Sequence, residues 1–132
     1  MFRHDHEEDL TTRVDRLMVA VLASDDRQRL AALTARLSAD FVYVGPDAVF
    51  DGAAGLSEAF AHYRHDRDLA ATLHRTSALD QHHGWFRFTW ARMERGVTAV
   101  EGWAIGSLDN AGAIRRLVVF EGLTPGRRAG GD

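Results

Sequence analysis

The chain begins with apolar residues that recur every three or four positions, the spacing of one face of an α-helix. This pattern runs from Leu10 to Leu22, and Thr12 with Asp15 three residues later forms a plausible N-terminal cap. The segment 24–26 (Ser-Asp-Asp) ends this helix and caps a second one. Three leucines share a face of the second helix: Leu30, Leu33 and Leu37. A third helix is predicted by apolar residues at offsets of four and three: Leu56, Phe60 and Tyr63.

Between the second and third helices the pattern changes to that of β-strands. Residues 41–44 (Phe-Val-Tyr-Val) predict a strand that Gly45-Pro46 ends, and Val49-Phe50 predicts a short return strand before Asp51-Gly52. Four longer strands follow the third helix, separated by glycine-containing turns or polar turns: 70–80, 84–94, 97–108 and 113–122. Helices on one face of an antiparallel sheet make an α+β domain. We therefore expect a single domain over 10–123, between flexible tails at 1–9 and 124–132.

Composition excludes several classes of function. The net charge of the 132 residues is −3, so no basic field attracts nucleic acid or anionic lipid. The absence of cysteine excludes thiolate catalysis and cysteine-bound metals, and the absence of lysine excludes a Schiff base. Two histidine pairs, His4 with His6 and His82 with His83, have no neighbouring ligands to complete a metal site. We predict no metal and no cofactor.

The expected cellular location rests on two features that the sequence lacks, a membrane span and a signal peptide. No apolar run reaches the length of about 18–20 residues that a membrane span needs, and no signal-peptide pattern opens the chain. A cytoplasmic location without membrane contact is therefore expected. The high arginine and alanine content favours a bacterial source with a GC-rich genome.

Alternation along the later strands separates two faces of the sheet. One face carries large aromatic residues of one strand, and small residues of the next strand. These are Phe86, Phe88 and Trp90, followed by Gly102, Ala104 and Gly106. Small residues at alternate positions indicate either a sharp bend of the sheet or room for a ligand beside the aromatic rings. The alternative is that helix side chains fill this space.

The opposite face of the sheet is apolar at its centre and charged at its margin. It carries Trp85, Arg87, Glu101, Trp103, Ile105, Val118 and Phe120. If the helices cover the first face, this one is left in water, which is unusual for a monomer. A homodimer through this face is the economical prediction, with Arg87 and Glu101 at the polar margin. The alternative is that the terminal segments cover it.

Several segments resemble SnoaL-like domains of the nuclear transport factor 2-like superfamily. Two segments resemble the first half of these domains: residues 37–46 (Leu-Ser-Ala-Asp-Phe-Val-Tyr-Val-Gly-Pro) and 50–52 (Phe-Asp-Gly). The second half is similar to residues 83–90 (His-Gly-Trp-Phe-Arg-Phe-Thr-Trp) and 101–106 (Glu-Gly-Trp-Ala-Ile-Gly). The resemblance covers roughly residues 10–123. It implies a cone-shaped, curved antiparallel sheet of the cystatin-like roll, wrapped by three helices from the N-terminal half. It leaves the activity open, because the superfamily contains isomerases, cyclases, hydrolases, dehydratases and binding proteins.

The carboxylates that the steroid-isomerase branch uses are missing. In that branch one acid abstracts a proton beside a ketone, while a second acid and a tyrosine stabilise the enolate. The resemblance places these acids at positions where this chain has Gly45 and Ala104. A steroid-isomerase mechanism is therefore not expected, and the residue at 104 also weakens a polyketide-cyclase assignment.

Three polar groups are expected inside the cone, by alternation and by the resemblance: Tyr43, His74 and Glu121. They are the candidate catalytic residues, because a carboxylate near a histidine in an apolar pocket can act as an acid–base pair. The predicted lining consists of Phe60, Phe86, Phe88, Trp90, Gly102, Ala104 and Val119. Three functions remain open: binding of a small apolar, cyclic or polyketide-like molecule, proton-transfer chemistry in the same pocket, or a dimeric accessory module with a vestigial pocket.

Overall fold

Three helices wrap one face of a curved, seven-stranded mixed sheet. The computed structural model describes residues 8–66 and 71–124. The helices are α1 (Leu10–Val21), α2 (Asp26–Arg36) and α3 (Gly52–Asp66). The strands are β1 (Leu37–Val44), β2 (Val49–Asp51), β3 (Ala71–Arg75), β4 (Asp80–His82), β5 (Trp85–Glu94), β6 (Val97–Leu108) and β7 (Ile114–Glu121). The predicted α+β fold class is confirmed.

The strand order is β2-β1-β7-β6-β5-β3, and β4 pairs with β5 beside β3. All pairs are antiparallel except β1 with β7, which is parallel. The expected sheet was antiparallel throughout. Hairpin turns fix the direction of neighbouring strands, but no turn joins β1 to β7, so alternation could not predict their direction.

The predicted strand 70–80 is two strands in the structure. Both β3 and β4 pair with β5, but the residues between them leave the ladder. Thr76 still donates its backbone N–H to the carbonyl of Thr89 at 2.8 Å, and the hydroxyl groups of the same two residues lie 2.8 Å apart. The apolar alternation of the segment could not show this interruption.

Two residues of the predicted N-terminal tail, Glu8 and Asp9, contact the helices. Asp9, rather than Thr12, caps α1, because its carboxylate accepts the N–H of Thr12 at 2.8 Å. Glu8 forms ion pairs with Arg16 of α1 and Arg36 of α2. The rest of the predicted tails, 1–7 and 125–132, lies outside the described residues.

The core lies between the helices and the concave face of the sheet. Its fully buried side chains include Val14, Leu33, Phe41, Leu56 and Ile114. The predicted leucine face of α2 is only partly correct, because Leu30 is exposed and Leu37 already belongs to β1. The helix instead buries Arg29, whose side chain crosses to α3.

Candidate functional site

A cavity of about 330 Å³ lies between the helices and the concave face of the sheet. Its wall is mainly apolar: residues from α1 and α3 form one side, and residues from β1, β5, β6 and β7 form the other. The apolar lining includes Leu17, Val21, Phe50, Phe60, Leu73, Phe88, Trp90, Ala104, Leu117 and Val119. The polar lining includes Tyr43, Asp47, Tyr63, Arg92 and Glu121. Such a wall suits a small molecule with a largely apolar body and a few polar groups.

Most of the predicted inward side chains line this cavity. They are Tyr43, Phe60, Phe88, Trp90, Ala104, Val119 and Glu121. Trp90 is fixed in place, because its indole N–H donates to the carbonyl of Trp103 at 3.1 Å. Its ring therefore forms a rigid part of the wall, on the inner face of β5.

Gly102 and Phe86 are not among the lining residues, which corrects the prediction for both. A Cβ atom on Gly102 would lie 1.9 Å from the backbone oxygen of Phe120, so this glycine lets β6 and β7 approach closely. A Cβ atom on Gly106 would lie 2.3 Å from Cζ of Phe86, so the Phe86 ring fills the space above that glycine. These two glycines serve packing inside the sheet and do not widen the pocket.

His74 does not point into the cavity, so that prediction was wrong. Its ring is exposed, and Nε2 lies 2.8 Å from the hydroxyl oxygen of Thr72. In the register of the sheet His74 is opposite Ala91, on the outer face, whereas Leu73 is opposite Arg92 and lines the cavity. The proposed pairing of Glu121 with His74 is thereby removed.

Tyr43 and Glu121 form a polar group at one side of the cavity. The Tyr43 ring stacks on Phe50 with their centroids 5.9 Å apart. Burial, and secondly the negative charge of Glu121, raises the pKa of the Tyr43 phenol above its ordinary value. The phenol therefore stays protonated at neutral pH and can donate a hydrogen bond. Glu121 ends β7, where its carboxylate is exposed at the rim.

Gly45 and Ala104 both line the cavity. These are the positions at which the resemblance places the two acids of the steroid isomerases. Both positions thus face the site without a carboxylate, and Tyr43 and Glu121 are left beside them as polar groups.

Arg92 is a lining residue that the sequence interpretation missed. It continues the alternation of Phe86, Phe88 and Trp90 by one more step along β5. Its Nε donates to a carboxylate oxygen of Glu94 at 3.0 Å, and its Cζ lies 5.6 Å from the centre of the Tyr63 ring. The signal was present in the sequence, because the inward positions of this strand do not stop at the last aromatic residue.

The outer face of the sheet is as apolar as predicted. Trp85 and Phe120 are 50% and 52% exposed, and Ile105 is also exposed. Trp103 is half-buried, because Arg87 lies over its ring and its indole N–H donates to the carbonyl of Leu123 at 2.9 Å. Val118 is half-buried, and Glu101 is exposed.

Two structural features are absent from the described part of the chain. None of its helices is both long enough and apolar enough to cross a bilayer. Between residues 8 and 66 and between 71 and 124, no three histidine, aspartate or glutamate side chains lie close enough together to hold a metal ion.

Comparison with known proteins gives a consistent result at the level of fold. No protein-family model matches the chain, and no curated protein matches it. Among solved structures, a proposed isomerase of the SnoaL-like family from Agrobacterium tumefaciens superposes with a TM-score of 0.78 at 20% identity, over 85% of this chain and 96% of that one. A proposed polyketide cyclase from Sinorhizobium meliloti has a TM-score of 0.64 at 14% identity, over 90% and 100%.

A nuclear transport factor 2-like protein of unknown function from an Exiguobacterium species has a TM-score of 0.67 at 16% identity, over 85% of this chain and 99% of that one. These similarities extend over nearly the whole length of the solved chains, while their sequence identity is low. The chain has the SnoaL-like form of the nuclear transport factor 2-like fold.

Proposed function

We propose that this protein binds a small, mostly apolar molecule in the cavity between its helices and its sheet. The observation that carries the proposal is the cavity itself, about 330 Å³ in volume, with an apolar wall and polar groups confined to a few positions. Tyr43 donates a hydrogen bond to an oxygen of the ligand, and Glu121 at the rim accepts one from it. Cyclic and polyketide-like molecules match this distribution of apolar and polar surface.

A thermal-shift screen tests this proposal with a matched pair of variants. Val119 lines the cavity, whereas its neighbour Val118 lies on the other face of β7. Val119→Phe fills the cavity, and Val118→Phe makes the same substitution outside it. The screen covers steroids, aromatic polyketides, terpenoids and short acids. A ligand at a hundred times its dissociation constant stabilises the fold by about 2.7 kcal/mol, which raises Tm by several degrees.

We expect such a shift in the wild type and in Val118→Phe, and none in Val119→Phe. A shift that survives in both variants would place binding elsewhere on the molecule. The absence of any shift across the screen would contradict a binding function for this cavity.

Proton-transfer catalysis is the second candidate, and the position of Tyr43 and Glu121 in the same cavity wall favours it. The Glu121 carboxylate takes a proton from the carbon beside a ligand carbonyl, the Tyr43 phenol donates a hydrogen bond to the resulting enolate oxygen, and the proton returns to carbon. Ketones found in the screen are incubated in D₂O, and deuterium incorporation is followed by NMR. We expect Glu121→Gln to slow incorporation at least about 100-fold while binding is retained. Equal rates for wild type and Glu121→Gln would exclude this chemistry.

The protein is also proposed to form a homodimer through the outer face of its sheet. The exposed aromatic rings of Trp85 and Phe120 support this, since large apolar patches on soluble proteins mark interaction surfaces. Arg87 and Glu101 lie at the charged margin of the same face. A two-fold contact would cover the patch of one copy with that of the other.

A further inference from the structure

One cation lies among the apolar side chains of the cavity wall. Arg92 lies on β5 one inward position beyond Trp90, and its side chain is about one-fifth exposed. A charged group in such surroundings is costly unless partners hold it. The role of Arg92 therefore depends on how many of its N–H donors those partners leave available.

The partners of Arg92 occupy only part of its guanidinium group. Glu94 accepts the Nε–H, and the ring of Tyr63 lies beside Cζ. Within the part of the chain that the structure describes, Nη1 and Nη2 of Arg92 donate no hydrogen bond. A guanidinium has five N–H donors, so four remain for an acceptor. Glu94 thus orients the group from one edge and leaves its terminal nitrogens for a ligand.

We infer that the ligand of this cavity carries a carboxylate that pairs with the Nη atoms of Arg92, an inference that rests on the proposed binding function. The guanidinium edge matches the planar, two-oxygen geometry of a carboxylate. Among the described residues of the wall Arg92 is the one cation, and a phosphate would carry up to two charges there, so a single-charged acid is the better match.

The distribution of the other polar groups sets the shape of the ligand. Tyr43 is on β1 and Arg92 is on β5, three strands apart in the order β1-β7-β6-β5. At about 4.8 Å per strand this separates their backbones by about 14 Å across the sheet, and in the register Tyr43 is level with Phe86, so Arg92 lies a further six residues along β5. Val119 lies on β7, between these two strands, and Trp90 lies on β5 next to Arg92 on the same face; both form an apolar floor. The ligand is therefore a flat apolar acid with its carboxylate at Arg92 and a hydroxyl or carbonyl oxygen at the opposite end, toward Tyr43.

A pair of probes of equal shape tests the charge. The probes are 6-hydroxy-2-naphthoate and 6-hydroxy-2-naphthamide, titrated calorimetrically into the full chain at pH 7. We expect the acid to bind the wild type at least about tenfold more tightly than the amide, because charge-assisted hydrogen bonds are about twice as strong as neutral ones. Arg92→Met removes this preference, because the acid loses a charge-assisted pair and its affinity falls at least about tenfold more than that of the amide.

Glu94→Gln changes the same preference in the opposite direction. It removes the internal carboxylate that competes for Arg92. The acid should therefore bind Glu94→Gln at least about threefold more tightly than it binds the wild type. Variants that only weakened the fold would both lose affinity for both probes. Arg92→Lys keeps the charge but not the two-nitrogen edge, and it retains part of the preference.

Each outcome decides the inference. The carboxylate inference is overturned if the preference for the acid persists in Arg92→Met. It is also overturned if this preference falls equally in Arg92→Met and Glu94→Gln. If the amide binds, is excluded by Val119→Phe and matches the acid in affinity, the carboxylate inference fails while the proposed binding function stands. If neither probe binds the wild type and the ligand screen is also empty, the binding function itself fails.

Discussion

A Cβ atom added to Gly45 would lie 2.8 Å from Cε2 of Tyr43, so the tyrosine ring occupies the space that a side chain at position 45 would need. In the steroid-isomerase branch that the sequence resembles, the catalytic base stands at this position. A side chain at position 45 would therefore require the tyrosine ring to shift. The glycine at position 45, where the resemblance places an acid, thus leaves room for the Tyr43 ring in the cavity wall.

This relationship predicts strong coupling between the two positions. Gly45→Ala should lower the free energy of unfolding by about 1–3 kcal/mol, because the new methyl group overpacks against the ring. In a Tyr43→Ala background the same substitution should cost at least about 1 kcal/mol less. Urea denaturation of the four proteins measures the coupling. Equal costs in both backgrounds would show that the ring does not restrict position 45.

The raised pKa of Tyr43 also predicts a loss of stability at high pH. Its pKa in the folded protein is raised above the ordinary value of 10.0, by burial and by the charge of Glu121. The unfolded chain therefore releases this proton first as the pH rises. The contribution to stability is fully present below pH 10 and is lost as the pH rises through the folded pKa.

The chain contains no lysine, so few other groups titrate in this window. Tyr43→Phe has no phenolic proton to lose and should show a smaller fall in unfolding free energy above pH 10. The measurement is urea denaturation at several pH values, with the absorbance of ionised phenol as an independent readout. Identical pH profiles for wild type and Tyr43→Phe would contradict the assignment.

Arg29 is predicted to be a structural cation that joins α2 to α3. The residue is 1% exposed, and its guanidinium donates to the backbone and hydroxyl oxygens of Ser57 and to the carbonyl of Ala23. Arg29→Met should cost about 2–4 kcal/mol, because those acceptors lose their donors inside the protein. Asp26→Asn should cost less than about 1 kcal/mol, because that partner is 82% exposed. Chemical denaturation gives both values, and equal costs would show that the ion pair dominates instead.

Two glycine-to-alanine substitutions should have opposite effects on stability. Gly102→Ala places a methyl group against the backbone of β7 and should cost at least about 2 kcal/mol. At Gly55 in α3 the nearest contact is Phe50 Cβ at an ordinary 3.8 Å, so Gly55→Ala should stabilise the helix by about 0.5–1 kcal/mol. Thermal unfolding distinguishes the two. A Gly102→Ala protein as stable as the wild type would contradict the close approach of β6 and β7.

Charge on the outer face should prevent self-association. Phe120→Glu places a carboxylate in the centre of the apolar patch, so the protein should sediment as a monomer where the wild type sediments as a dimer. Val19→Glu is the control, because Val19 is equally apolar and 71% exposed but lies on α1, away from the sheet face. A dimeric Phe120→Glu protein, or a monomeric wild type, would contradict the proposed interface.

The sequence by itself determined the elements and part of the cavity wall. Local periodicity predicted three helices and the strands that follow them, because the apolar residues of each element must face the same core. The alternation of β5 and β7 placed Phe88, Trp90, Val119 and Glu121 on the cavity side. The apolar outer face followed from the same alternation.

Tertiary structure decided what depends on how distant strands meet. His74 was assigned to the wrong face, because its side follows from the pairing of β3 with β5 and not from the composition of β3. Gly102 was assigned to the pocket, but the close approach of the β7 backbone explains it. The parallel pairing of β1 with β7 brings Tyr43 toward Glu121 across 78 positions of the chain, and periodicity within a single element contains no information about such a contact.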